Sequence, residues 1–135
     1  MKYPNNPTGL KLFTAALRKA APSIAFSIDW RPDIGADPIH EACDGYTAEY
    51  APEWQAWCSK VTAAAIIDGE TKAGSDYLSG TYERTDDDPN ESNPFISGYL
   101  PDMIERALDE LTRHPGSPDA EINAARQVAQ ACRLT

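Results

Sequence analysis

The sequence predicts an α+β fold: a three-stranded antiparallel meander covered by helices, in the order α-β-β-β-α-α. Three observations carry this. Residues 23–30 alternate apolar and polar groups with a strand's two-residue period, and Asp68-Gly69 lies between two further extended runs. Apolar residues recur at three- and four-residue spacing near both ends of the chain, the period of a helix packed on one side. An antiparallel meander leaves one face for helices, so the layers number two.

Taken in order, Leu10, Phe13, Leu17 and Ala20 or Ala21 form the inner stripe of a first helix. Thr8 is placed to cap its first turn and Pro22 ends it. From Ser23 to Trp30, Ile24, Phe26, Ile28 and Trp30 share one face of a strand, with Ser23, Ala25, Ser27 and Asp29 on the other. Residues 31–52 collect Pro32, Gly35, Pro38, Gly45 and Pro52 among acids, which is the chemistry of a long loop. A second strand follows from Glu53 to Ile67, with Trp57, Val61, Ala63, Ala65 and Ile67 apolar. Asp68-Gly69 turns the chain because both residues tolerate positive φ, and the return strand runs from Glu70 to Glu83. Gly74 and Gly80 within it invite a bulge or a close backbone approach. After the turn-rich stretch Asp86 to Pro94, a helix opens near Pro101 on Met103, Ile104, Ala107, Leu108 and Leu111, with Asp102, Glu105, Arg106, Asp109 and Glu110 outward. Ser117-Pro118-Asp119 launches a last helix whose inner side is Ile122, Ala125, Ala129 and Cys132. The first helix and the one following the sheet are the natural cover of the meander.

A chain of 135 residues fits one domain, 1–135, and buries about two thirds of its unfolded surface without staples. An apolar content of 41% places it outside the disordered class. Three cysteines without tight spacing argue against a disulfide framework and for a reducing compartment. Met1 to Thr8 has no apolar h-region, and the longest apolar run, Ala63 to Ile67, is too short to span a bilayer. The expected location is cytoplasmic, within a host cell if the chain acts on host machinery.

Charge is the most uneven property. Between Pro32 and Pro94 fourteen carboxylates face three cations, Lys60, Lys72 and Arg84, for a net charge of −11. Residues 1–31 carry +4 and the remaining 104 carry −13. A field of that sign repels nucleic acid and anionic lipid and attracts basic protein surfaces, including those that hold DNA or RNA. No direct contact with nucleic acid or membrane is expected.

The first five elements, about Thr8 to Arg113, resemble the α-β-β-β-α arrangement of double-stranded RNA-binding domains. Members of that family place lysines at the start of the second helix to meet RNA phosphates. The matching stretch here, Gly98-Tyr99-Leu100-Pro101-Asp102-Met103-Ile104-Glu105, has no lysine and two acids. The resemblance therefore extends to topology and not to RNA binding. A second resemblance rests on Gly74-Ser75-Asp76-Tyr77-Leu78-Ser79-Gly80, the acidic loop after it, and Ser97-Gly98-Tyr99-Leu100-Pro101-Asp102-Met103. These segments are similar to ones in small accessory proteins of bacteriophages and prophages. That resemblance implies a phage protein that occupies host machinery, as anti-CRISPR and antirestriction proteins do.

Catalytic and metal motifs are weighed against plain solvated or buried residues. Asp86, Asp88 and Asn90 take the first, third and fifth positions of a calcium loop, but Glu91 stands where the turn needs Gly and Ser97 where a bidentate Glu belongs. His40 and Cys43 resemble half a zinc site, with Cys58, His114 and Cys132 as partners, yet no second close pair completes it. A Cys-His nucleophile drawn from the same residues has no supporting context, and there is no phosphate loop or nucleophile elbow. The chain is expected to be no enzyme and to need no cofactor or metal.

Tyr46, Tyr50, Trp54 and Trp57 lie inside the acidic stretch, where large aromatics either cover the sheet edge or act as anchors ringed by carboxylates. The partner-binding residues read from this pattern are Asp44, Glu49, Tyr50, Glu53, Trp54, Asp86, Asp87 and Asp88. The expected partner is a host protein or complex with a basic surface, which the acidic face would block. The alternatives are a self-assembling scaffold, a homodimer in which the basic first helix of one copy meets the acid of another, and a metal-binding enzyme.

Overall fold

The computed structural model describes residues 7–32, 54–84 and 99–133. The order of elements is α1 (Pro7–Ala20), β1 (Ala25–Pro32), β2 (Trp54–Ile67), β3 (Glu70–Arg84), α2 (Leu100–Leu111) and α3 (Asp119–Arg133). This is the expected α-β-β-β-α-α sequence, and the three strands form one antiparallel sheet in the order β1-β2-β3.

Strand alternation places Phe26, Val61, Ala63, Ala65 and Ile67 on the helix-covered face, where they are buried with Phe13, Leu17, Ile104, Leu108, Leu111 and Ile122 in one core. On the opposite face Ala25, Ser27, Lys60, Ile66 and Tyr77 are exposed, and the register-paired Thr62 and Ser75 hydroxyls lie 3.2 Å apart. Asp68 and Gly69 both have positive φ, 52° and 80°, the conformation that a two-residue hairpin of this kind requires.

The helices share the cover unequally. α2 lies over β2 and β3, whereas α1 touches β1 lightly and leans on α3, which also packs on α2. The expectation that α1 and α2 cover the sheet is thus met fully by α2 and only in part by α1. The small inner side of α3, with Ala125 and Ala129 fully buried, lets the neighbouring helices close on it.

Two helix starts differ from expectation. α1 already includes Pro7, so Thr8 stands inside the first turn and does not cap it; proline suits that opening position because its missing N–H would have no helical partner. At α3 the Ser117 hydroxyl donates to the Asp119 carboxylate at 3.0 Å, while Pro118 accepts the first helical bond from Ile122 at 2.9 Å. The hydroxyl is thus engaged as a donor in a charge-assisted bond, where a cap would have it accept a helical N–H.

Gly74 and Gly80 separate into different roles. A Cβ built on Gly74 would stand 2.1 Å from the Ala107 carbonyl oxygen and 2.5 Å from the Leu111 nitrogen, so this glycine lets α2 lie directly on β3. The register shift comes between Trp57↔Thr81 and Ser59↔Leu78, which puts the bulge opposite Cys58 at Ser79-Gly80.

Beside that bulge, Ser59 is 1% exposed and its hydroxyl has no hydrogen-bond partner among the described residues. An unpaired buried hydroxyl costs about 1–3 kcal/mol of desolvation. Ser59→Ala is therefore expected to raise stability by about 1 kcal/mol, read as a higher urea midpoint with an unchanged slope.

Glu121, in the first turn of α3, accepts the Ser23 backbone N–H at 2.8 Å and the Ser23 hydroxyl, tying the α1–β1 turn to α3. The hydroxyl and then the amide bond hold its carboxyl below the usual carboxylate range. A lowered folded-state pKa contributes stability above the unfolded pKa, and that contribution is lost as pH falls through the folded value. Thermal melts from about pH 7 to about pH 3 are expected to show a shallower acid loss in Glu121→Gln than in the parent, together with a lower melting point near neutrality.

Candidate functional site

Of the residues read as partner-binding, Asp44, Glu49, Tyr50, Glu53, Asp86, Asp87 and Asp88 lie outside the described residues. Trp54 opens β2, paired with Arg84 at the far end of the sheet from the Asp68-Gly69 turn. The calcium-type pattern at Asp86–Ser97 and the His40–Cys43 pair also lie outside the described residues.

Cys58 faces Arg31 in the strand register. His114 lies in the α2–α3 connection with Nε2 3.2 Å from the Ala73 carbonyl, and Cys132, near the end of α3, carries a thiol whose pKa is raised by burial. No group of three or more His, Cys, Asp or Glu able to hold a metal occurs among the described residues.

Packing of α2 on β3 builds an acidic cleft that charge counting along the chain did not single out. Asp76, Leu78, Tyr99, Asp102, Met103 and Arg106 line a space of about 320 Å³. Asp76 lies on the helix-facing side of β3, two residues from the Gly74 contact, so the close approach at Gly74 brings Arg106 within 3.6 Å of its carboxylate. Tyr99 and Asp102 come from the opening of α2, where Pro101 stands in the first turn. Leu78 and buried Met103 give the cleft an apolar lining, and Tyr99, 43% exposed, gives it an aromatic one.

The cleft already shows which chemistry it accepts. Arg106 is 69% exposed at its side chain and Asp76 only 21%, so a mobile guanidinium rests on a partly sheltered carboxylate. An ion pair of that exposure is worth about 0–1 kcal/mol and exchanges readily with another cation. Elsewhere on α2, Asp109 is held by Arg126 of α3 at 2.5 Å and Glu105 accepts the Gln130 amide at 2.9 Å. Neither of these two acids, expected on an outward face, is buried, and from there they also join α2 to α3. The sequence signal for the cleft was the Pro101-Asp102 helix opening, and its pairing with Asp76 depends on tertiary packing.

A second concavity lies between α1 and β1, with Leu10, Phe26 and Ile28 as its apolar part and Lys11 and Arg18 beside them. No helix among the described residues is long and apolar enough to cross a membrane. No family model, curated protein or solved structure matches the chain.

Proposed function

We propose that this protein works by binding another protein, its acidic side covering a basic surface that the partner uses for nucleic acid. In the terms of the phage resemblance it is a cytoplasmic accessory protein that inhibits a host defence complex, in the manner of anti-CRISPR or antirestriction proteins. The reaction is competition and involves no catalysis: carboxylates occupy the arginines and lysines that otherwise meet phosphates.

The observation that carries this reading is the cleft at the start of α2. Asp76 and Asp102 flank an apolar and aromatic lining, and Arg106 occupies one carboxylate as a partner's arginine would. A long basic side chain suits such a space because its aliphatic stem packs on Leu78, Met103 and Tyr99 while its charge meets the acids. The cleft also adjoins, in sequence, the stretch that carries Asp86, Asp87 and Asp88. Carboxylates around a small aromatic anchor are the composition expected of a contact for a basic partner.

Capture from bacterial lysate on the tagged chain, washed at low and then high salt, tests the reading. The expected outcome is a nucleic-acid-binding protein released by salt, whose grip on its nucleic acid falls as the free chain is added. Recovery of the chain's own copies alone overturns it and points to a self-assembling scaffold.

A further inference from the structure

We infer that the groove between α1 and β1 is a second docking site, of opposite polarity to the acidic cleft, for an extended acidic segment of another protein that carries carboxylates and apolar residues in turn along one face. The groove encloses about 340 Å³. It exists because α1 leans on α3 and touches β1 lightly, leaving Ile28 only partly covered and Phe26 at 8% exposure.

Its cations determine the charge of the occupant. Lys11 and Arg18 are exposed on α1, and neither has an ion-pair partner among the described residues. Thr14 between them already donates its hydroxyl to the Leu10 carbonyl at 2.8 Å, so it presents no unmet polar demand. Two unpaired cations beside an apolar floor complement carboxylates attached to an apolar body.

The strand determines the shape of the occupant. β1 is an edge strand, paired with β2 on one side and with no described strand on the other. Such an edge offers backbone groups to an incoming strand, and alternate side chains of that strand fall on the Phe26–Ile28 side. Lys11 and Arg18 are seven helical residues apart, about 10 Å along the axis. Every second residue of an extended chain shares a face, so carboxylates four residues apart, with an apolar residue midway, span about 13 Å on the side of α1 and come within side-chain reach of both cations. The net charge of −9 does not forbid this, because at physiological salt a Debye length of about 8 Å screens the distant acids more than the adjacent cations.

The test uses the full chain and a labelled, end-blocked peptide as long as β1 in which glutamate and isoleucine take turns on one face and threonine fills the other, followed by fluorescence anisotropy at physiological salt. Its control has lysine in place of glutamate. Saturable binding of the glutamate peptide, weakened tenfold or more by K11E/R18E, supports the site; both positions are exposed, so the fold is expected to persist, with far-UV circular dichroism as the check. Ile28→Ser alone is expected to weaken binding without changing charge. Equal binding of the two peptides, or the same affinity for K11E/R18E as for the parent, overturns the inference. So does a dimer that the peptide cannot displace and K11E/R18E dissolves, since the occupant would then be a second copy. The acidic cleft plays no part in this measurement, so the two sites stand or fall separately.

Discussion

Gly74→Val is expected to cost about 3 kcal/mol or more, and Gly74→Ala nearly as much. Any Cβ at this position meets backbone, the Ala107 carbonyl oxygen at 2.1 Å and the Leu111 nitrogen at 2.5 Å, with the Glu110 Cβ at 3.0 Å. Backbone within a helix cannot rotate away as a flexible side chain would, so relief requires α2 to lift from β3. That movement opens the contact between the sheet and Ile104, Leu108 and Leu111, all fully buried. Overpacking costs about 1–3 kcal/mol where side chains can adjust, and more where they cannot. Strand propensity works in the opposite direction, since valine is favoured over glycine, but by no more than about 1 kcal/mol. Sterics therefore wins. Ala73→Val, one residue away on the exposed face, is the control and is expected to stay within about 0.5 kcal/mol of the parent. Urea unfolding of the two variants measures the difference, and equal midpoints would show that α2 does not rest on Gly74. The same movement would displace Arg106 from Asp76, so the Gly74→Ala variant is also expected to bind a basic partner differently.

Local signals were the legible part of this fold. The alternation of Ile24, Phe26 and Ile28 gave the correct buried face of β1, although the strand runs Ala25–Pro32 and begins after Ser23. The Asp68-Gly69 pair predicted the hairpin because positive φ is a property of the residues themselves. Pro101 predicted the opening of α2 for a similarly local reason. What remained ambiguous depended on which element packs against which. Gly74 and Gly80 look alike in the sequence, and only the approach of α2 separates a contact glycine from one beside a bulge. Likewise Asp76 and Asp102 are 26 positions apart and share a cleft solely because α2 crosses β3 there. The basic character of α1 was plain from Lys11 and Arg18, whereas the groove beside them depends on α1 leaning away from β1.

Reversing Asp86, Asp87 and Asp88 together to lysine is expected to weaken the complex with a basic partner at least tenfold at low salt, mainly by slowing association. Two unit charges about 4 Å apart interact by about 1 kcal/mol even at the dielectric constant of water. Each reversal replaces such an attraction with a repulsion of similar size, so a single fully engaged contact already exceeds the 1.4 kcal/mol that makes a factor of ten. The gap between parent and variant is expected to narrow with salt, as the Debye length falls from about 10 Å at 0.1 M to about 3 Å at 1 M. Net charge alone would predict the same pattern, and the cleft supplies the means of separating the two. Arg106→Ala frees the Asp76 carboxylate for a partner cation and is expected to tighten binding by up to about fivefold, the ceiling set by an exposed ion pair. Lys60→Ala removes an equal charge from an exposed position on the face of the sheet opposite α2, outside the lining of the cleft. If total charge governs binding, the two alanine variants tighten it alike. If the acidic cleft receives the partner, Arg106→Ala tightens it and Lys60→Ala leaves it near the parent value, a difference that surface plasmon resonance against the captured partner resolves directly. Unchanged affinity in the triple lysine variant at low salt would remove the acidic surface from the mechanism altogether.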